Sequence, residues 1–149
     1  MNSAESYDRA LDRSGTRKVK VMLVDDDAMF LKVAVGLLET HHRDQLDIVG
    51  TATSSEECII KAQTLGPEVV LMDLNMPGHG GLWAIPLLHI IFPETRVIAL
   101  TSDDGKDARK AVVSAGGVDL VSKMAWKTDL IPAIERAMEI GNIESFAGV

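Results

Sequence analysis

Three aspartates stand where this chain is most able to do chemistry. Asp25 and Asp26 directly follow an apolar run that ends at Val24, and Asp73 follows a second apolar run that ends at Met72. Both runs are typical of buried parallel strands, and open α/β sheets bind ligands in the crevice beyond the carboxyl ends of such strands. Two carboxylates about 4 Å apart repel each other by roughly 4 kcal/mol at an effective dielectric of 20. A compensating cation is therefore expected, and the spacing indicates a hard divalent metal ion and phosphate chemistry.

Two further polar residues follow later apolar runs. Thr101 comes directly after the run that ends at Leu100, and Lys123 comes after the run that ends at Ser122. If each run is a strand of one parallel sheet, the strands deliver an acid pair, an acid, a hydroxyl and an amine to one edge. Each residue alone could instead cap a helix or lie on the solvated surface. Their shared position at strand ends favours a single polar site.

The elements that must position these residues are strands alternating with helices. Short β-branched runs predict strands, and the segments between them have helical periodicity. The predicted strands are Lys20–Val24, Asp47–Ala52, Glu68–Met72, Arg96–Leu100 and Asp119–Val121, and the predicted helices are Ala28–Thr40, Ser55–Leu65, Leu82–Ile91, Lys106–Ala115 and Thr128–Ile140. Five β-α repeats predict an α/β fold, a doubly wound five-stranded parallel sheet with helices on both faces.

Composition limits the classes of protein that need to be considered. The chain has 149 residues, 46% of them hydrophobic, which is enough for one folded core and excludes a disordered chain. A net charge of −7 argues against a nucleic-acid surface on this domain, because phosphate contacts need clustered Lys and Arg. The sequence shows neither a signal peptide nor an apolar segment of about 20 residues. We therefore expect a cytoplasmic protein that does not bind membranes.

Polarity also predicts the domain organisation. Residues 1–17 are polar and without clear periodicity, so we expect a flexible leader. Residues 18–141 are expected to form the folded domain, and residues 142–149 a C-terminal tail or linker stub.

In combination and order, the motifs resemble the receiver domains of bacterial two-component response regulators, the CheY-like family. The resemblance covers residues 18 to about 140. The sequences of the strands and loops most resemble those of receivers in LuxR-type regulators. It depends on Leu23-Val24-Asp25-Asp26-Asp27, Met72-Asp73-Leu74-Asn75-Met76-Pro77-Gly78, Ala99-Leu100-Thr101-Ser102 and Ser122-Lys123. The resemblance implies a flavodoxin-like sheet with strand order 2-1-3-4-5.

The resemblance also implies a phosphoacceptor and a metal site. Asp73 would take a phosphoryl group from a sensor histidine kinase or a phosphotransfer protein. Asp26, Asp73 and the backbone carbonyl of Asn75 would hold Mg²⁺ (or Mn²⁺), and Asp25 would help to position the ion. Magnesium suits such a set because it uses few carboxylates and bridges to phosphate oxygens.

Lys123 and Thr101 would complete a switch in the same family pattern. The ammonium of Lys123 would contact one phosphoryl oxygen, and the hydroxyl of Thr101 would donate to another after phosphorylation. Such a domain assists its own phosphorylation and dephosphorylation and is not an enzyme acting on a separate substrate. Its output would pass to a partner, to a homodimer, or to DNA through a C-terminal helix-turn-helix domain that this chain lacks.

Three residues or segments depart from the family pattern. Met124 replaces the proline that usually follows the lysine, so we expect a trans bond or a rearranged loop, since a non-proline cis bond costs about 2.5–4 kcal/mol. Leu120 stands where a switching aromatic residue is usual. The helix ending near Phe92 carries no Asp, Glu, Lys or Arg, and we expect its outer face, which includes Trp83 and Leu87, to contact a partner or a second copy.

Two other functions remain open at this stage. Asp25 and Asp27 superficially fit the first motif of haloacid-dehalogenase-like phosphatases, but no Asp-Asp pair follows Lys123 and Asp73 would have no role. A receiver that docks partners without phosphorylation is the second alternative, and Met124 and Leu120 keep it open.

Overall fold

The computed structural model describes residues 17–102 and 106–147, in which strands and helices alternate along the chain. The elements are β1 (Val19–Val24), α1 (Ala28–His41), β2 (Leu46–Ala52), α2 (Ser55–Leu65), β3 (Val69–Asp73), α3 (Gly81–Ile91), β4 (Arg96–Thr101), α4 (Lys106–Ala115), β5 (Asp119–Ser122) and α5 (Trp126–Ala147). All neighbouring strands are parallel, and their order is β2-β1-β3-β4-β5. The predicted α/β fold and its 2-1-3-4-5 order are confirmed.

The sheet is covered on both faces, which explains the nearly continuous apolar strands. Alternate residues of β1 point to opposite faces, so Val21 and Leu23 pack on one side and Met22 and Val24 on the other. The first side is covered by α1 and α5 and the second by α2, α3 and α4. This three-layer arrangement leaves the strand ends as the place where polar groups reach the solvent.

Local signals explain why most predicted boundaries agree with the structure. The carboxylate of Asp27 accepts hydrogen bonds from the N–H groups of Met29 and Phe30 and so begins α1. Ser54 caps α2 in the same way through the N–H of Glu57, and Gly66 ends that helix with a left-handed φ of 58°.

The C-terminal helix is longer than expected. It begins at Trp126 instead of Thr128 and continues through Ala147, so most of the predicted tail, residues 142–149, is helical. The predicted end was Ile140, but the helix continues through Gly141, because a single interior glycine costs only about 1 kcal/mol and no proline follows it. Residues 148 and 149 lie outside the described part of the chain.

The predicted leader, residues 1–17, lies outside the described residues except for Arg17. The guanidinium of Arg17 donates to the carboxylate of Glu68, just before β3. The division into leader, domain and tail stays a prediction.

Helix α3 presents the uncharged outer face that the sequence predicts. Leu82, Trp83 and Ile91 are between 40 and 47% exposed and Ile90 is 74% exposed, while Ala84, Ile85 and Leu88 are buried against the sheet. That a partner or a second copy covers this face stays a prediction. Among the described residues, no helix combines the length and the hydropathy needed to cross a bilayer.

Candidate functional site

Two adjacent strands bring the three aspartates together. Val24 and Met72 are partners in the pairing of β1 with β3, so Asp25 and Asp73 occupy the next position on each strand. Asp25 and Asp73 are each 1% exposed, whereas Asp26 is exposed. One carboxylate oxygen from each of the three lies within 4.8 Å of the others. The predicted convergence of Asp25, Asp26 and Asp73 is therefore present in the fold.

Each buried carboxylate is oriented by a backbone N–H two residues further along. Asp25 Oδ1 accepts from the N–H of Asp27 at 2.9 Å, and Asp73 Oδ1 accepts from the N–H of Asn75 at 3.0 Å. Such turns are local, because Asp side chains readily bond to the backbone that follows them. In both residues Oδ1 is thereby fixed, and Oδ2 is the oxygen that approaches Lys123.

Lys123 reaches both of these oxygens from the end of β5. Its Nζ lies 2.5 Å from Asp25 Oδ2 and 3.4 Å from Asp73 Oδ2, and its side chain is 20% exposed. The N–H of Lys123 donates to the carbonyl of Thr101 at 2.8 Å, which joins the ends of β4 and β5. Lys123 is therefore part of the same cluster as the acids, as predicted from its position in the sequence.

The titration of the cluster follows from burial and charge. Burial raises the pKa of Asp73 and the neighbouring Asp25 raises it further, against the opposing effects of the Asn75 N–H and of Lys123. For Lys123, burial acts to lower the pKa, but the carboxylates of Asp25 and Asp73 outweigh it, so the pKa of Lys123 is raised. An additional positive charge at this edge would favour the ionised form of Asp73.

The donor set of the cluster fits a metal ion. Asp25 Oδ2 is buried, and its charge is partly compensated by the ammonium of Lys123 at 2.5 Å. One ammonium faces three carboxylates, so a further positive charge would be stabilised there. Two buried carboxylates, one exposed carboxylate and no nitrogen or sulfur donor form a set that suits a hard cation.

Asn75 connects the acid site to Thr101. The Thr101 hydroxyl donates to Asn75 Oδ1 at 3.4 Å, and the N–H of Ser102 donates to the same oxygen at 3.2 Å. Thr101 is 2% exposed, so its hydroxyl is enclosed within the crevice. The sequence did not predict this link between the Asn75 side chain and the end of β4. Its only sequence signal is an amide residue two positions after the central acid.

The β3–α3 connection is held close to the acid by glycine. A Cβ built on Gly81 would lie 2.6 Å from the carbonyl oxygen of Asp73 and 2.9 Å from Met72 Cγ. Only glycine permits this close packing of the start of α3 against the end of β3.

The departures from the family pattern have structural consequences at β5. The Lys123–Met124 peptide is trans, as predicted, and Met124 is 90% exposed. Leu120 is buried among the side chains under α2, α3 and α4, so no aromatic ring stands at that position.

Two aromatic residues next to Lys123 were not predicted as part of the site. The ammonium lies 4.7 Å from the centroid of the Phe30 ring, and that ring packs against Trp126 with centroids 5.8 Å apart and planes inclined at 71°. Neither residue falls at a strand end, so the reasoning that located the polar residues could not find them.

The fold and the arrangement of polar groups define the class of protein, a flavodoxin-like α/β domain with an acidic crevice and a lysine at the carboxyl ends of its strands. The sequence pattern of the response regulator receiver domain matches residues 21–135. The chain belongs to the response regulator receiver domain family.

Individual relatives agree with this assignment. The chain is 34% identical over 116 residues to response regulator GacA of Pseudomonas protegens, covering 78% of this chain and 54% of that protein. Its fold is similar to that of the response regulator domain of Thermotoga maritima CheB, with a TM-score of 0.74, 28% identity and coverage of 83% of this chain and 98% of that one. A LuxR-family two-component response regulator from Aurantimonas sp. SI85-9A1 gives a TM-score of 0.74 at 26% identity, covering 80% of this chain and 84% of that one. The chain thus spans about half the length of the curated response regulator that it matches.

Proposed function

We propose that this domain accepts a phosphoryl group on Asp73 and uses the modification to change its surface. The observation that carries the proposal is the position of Asp73, which is buried at the end of β3 with Oδ1 held by the N–H of Asn75 and Oδ2 facing Lys123. Membership of the receiver family supports the same role. The donor would be the phosphohistidine of a sensor histidine kinase or phosphotransfer protein, or a small acyl phosphate.

The reaction requires no other nucleophile. A carboxylate oxygen of Asp73 forms a bond to phosphorus, while the bond from phosphorus to the donor's nitrogen or oxygen breaks and its electron pair leaves with the donor. The product is an acyl phosphate, which water hydrolyses to inorganic phosphate and the original carboxylate. Phosphoryl transfer depends mainly on positioning and electrostatic stabilisation, and Lys123 supplies a positive charge next to the attacking oxygen.

Mg²⁺ (or Mn²⁺) is the cofactor that fits the acid cluster. Asp25, Asp26, Asp73 and the backbone carbonyl of Asn75 would hold it, and the approach of three carboxylate oxygens to within 4.8 Å of one another supports that assignment. When bound, the ion neutralises negative charge on the transferring group and on the acids around it.

The switch would pass through Thr101 to the face formed by α4, β5 and α5. New phosphoryl oxygens are strong acceptors, so the Thr101 hydroxyl would turn toward them and away from Asn75. Asp119 of β5 connects the neighbouring helices, because Arg109 of α4 and Arg136 of α5 donate to it at 2.9 and 2.8 Å. Movement at α4 would therefore also alter α5.

The output is proposed to be regulation of transcription in the cytoplasm, in line with the similarity to a LuxR-family regulator. DNA contact would come from a helix-turn-helix domain elsewhere in the full regulator, and not from this acidic domain. Pairing of two phosphorylated copies would be one way to bring two such domains together.

Stoichiometry separates this function from the phosphatase alternative. With labelled acetyl phosphate and Mg²⁺, a receiver takes up at most a single phosphoryl group per chain, whereas a phosphatase releases many phosphates from an excess of phosphomonoester. Turnover of p-nitrophenyl phosphate that is abolished by Asp25→Asn and unaffected by Asp73→Asn would contradict the proposal. Absence of any label would instead favour a receiver that docks partners without phosphorylation.

A further inference from the structure

The side chain of Lys123 has an aromatic contact as well as two ionic ones. Its ammonium contacts carboxylate oxygens of Asp25 and Asp73 and also lies over the ring of Phe30, 4.7 Å from the centroid. A cation this close to an aromatic face is attracted by the ring's quadrupole. This attraction acts on the whole charge and does not require a hydrogen bond from a particular N–H donor. The carboxylate and phosphoryl oxygens remain the acceptors for the three N–H donors of the ammonium.

Phe30 is restricted through its backbone and through its ring. Its backbone N–H donates to the carboxylate of Asp27, and the backbone N–H of Asp27 donates to the carboxylate of Asp25, so the backbone of Phe30 belongs to the same turn as the acids. Its ring meets Trp126, the first residue of α5, in an edge-to-face contact typical of aromatic pairs. Trp126 is 8% exposed and lies three positions after Lys123, so both ends of the β5–α5 connection meet at one ring.

Apart from Trp126, the β5–α5 connection does little to restrict the side chain of Lys123. The peptide to Met124 is trans and Met124 is 90% exposed, so the residue after Lys123 packs against nothing substantial. A lysine side chain is a flexible four-carbon stem whose ammonium can adopt many positions. A fixed aromatic face beside the two carboxylates restricts those positions.

We propose that Phe30, held by Trp126, is a positioning residue that keeps the ammonium of Lys123 between Asp25 and Asp73, ready for the incoming phosphoryl group. This rests on the proposed phosphoacceptor function and adds a residue to it. The competing explanation is ordinary packing, since Phe30 is half-buried and also contacts the core beneath α1 and α5. The two explanations differ in what they require of the ring: positioning needs its negative face, and packing needs only its volume.

The test measures the rate of Asp73 labelling by acetyl phosphate with Mg²⁺ in the full chain. Phe30→Leu is expected to slow labelling about fivefold, and Phe30→Tyr to stay within about twofold of the parent. Pentafluorophenylalanine at position 30 keeps the shape of the ring but reverses the polarity of its face, and it should slow labelling as much as leucine does. In a Lys123→Met background, Phe30→Leu should cause no further slowing.

Phe92→Leu is the matched control, because Phe92 is half-buried on the opposite side of the sheet and has no contact with the site. Equal slowing by Phe30→Leu and Phe92→Leu, or parent-like labelling of the fluorinated protein, would overturn the positioning role and leave the phosphoacceptor function intact. A parent chain that takes up no label would overturn the proposed function and this inference together. The fluorinated chain keeps the volume of the ring, so it remains informative if Phe30→Leu does not fold.

Discussion

The ammonium of Lys123 lies 2.5 Å from Oδ2 of Asp25, a carboxylate whose side chain is 1% exposed. The lysine is thus closer to the acid of the first strand than to the proposed phosphoacceptor, Asp73, at 3.4 Å. This ammonium is a positive charge that the structure places inside the acid cluster. The contact therefore stabilises the resting domain as well as preparing the site for a phosphoryl group.

Removal of that charge should destabilise the domain. Lys123→Met leaves the buried Asp25 and Asp73 without their cation, and we expect the free energy of unfolding to fall by about 2–4 kcal/mol in EDTA. Mg²⁺ should reduce the difference, because it supplies the missing positive charge. Urea denaturation in EDTA and in Mg²⁺ measures both values. Equal losses in the two conditions would show that the lysine does not compensate the acids.

Binding of Mg²⁺ should itself raise stability through the exposed acid, Asp26. At a concentration tenfold above its dissociation constant, an ion that binds only the folded state adds about 1.4 kcal/mol to the free energy of unfolding. Asp26→Asn should lose most of this gain, because it removes a ligand.

Asp47→Asn provides the control, since it makes the same change of charge at an exposed position near the start of β2, at the opposite edge of the sheet. If Asp26→Asn and Asp47→Asn respond to Mg²⁺ as the parent does, the metal site lies elsewhere.

Replacement of two glycines by alanine should change the free energy of unfolding in opposite directions. Gly81→Ala puts a Cβ 2.6 Å from the Asp73 carbonyl, so we expect a loss of about 2–4 kcal/mol in stability and slower labelling of Asp73. Gly36 lies inside α1 with nothing within 4 Å of its Cβ position, so Gly36→Ala should add about 0.5–1 kcal/mol. Thermal or urea unfolding of the two variants measures both changes in stability. A Gly81→Ala variant as stable as the parent would show that α3 does not pack so closely on β3.

The Asp119 cluster predicts a pH-dependent contribution to stability. Burial acts to raise the pKa of Asp119, but Arg136, the Leu120 N–H and Arg109 outweigh it, so that pKa is lowered from 3.8. A lowered pKa means that the folded state binds fewer protons than the unfolded state, so this stabilisation is complete above the unfolded pKa and is lost as the pH falls through the folded one.

Asp119→Asn should therefore cost about 1–2 kcal/mol near pH 7, since both arginines are more than half exposed and their attraction is screened. The cost should be the same near pH 5 and smaller near pH 3. Urea denaturation at the three pH values measures this dependence, with Asp44→Asn, an exposed position, as the control. A loss of stability in Asp119→Asn that grows as the pH falls would contradict the predicted pH dependence.

The polar site was predictable because parallel strands end at one edge. Strand ends can be located from apolar runs alone, and this was sufficient to bring Asp25, Asp73, Thr101 and Lys123 together. Contacts between residues distant in the chain were not predictable in the same way. No periodicity indicates that Lys123 approaches Asp25 more closely than Asp73, or that Phe30 lies beneath its ammonium.

At several helix ends, a specific residue explains why the predicted bound was correct. Asp27, Ser54 and Gly66 fix their helices through local hydrogen bonds or backbone conformation, and there the expected bounds were correct within a residue. For α5 the predicted end at Ile140 was wrong, because the helix continues through Gly141 to Ala147. Low intrinsic propensity at one position does not decide where a helix ends.

The central claim is that Asp73 is the phosphoacceptor of a Mg²⁺-dependent site. The most direct measurement is mass spectrometry of the intact chain after incubation with acetyl phosphate, for the parent and Asp73→Asn, each with Mg²⁺ and with EDTA. We predict a single added phosphoryl group on the parent in Mg²⁺, none in EDTA, and none on Asp73→Asn in either condition. Label on Asp73→Asn equal to that on the parent, or label on the parent that is unchanged by EDTA, would contradict the account.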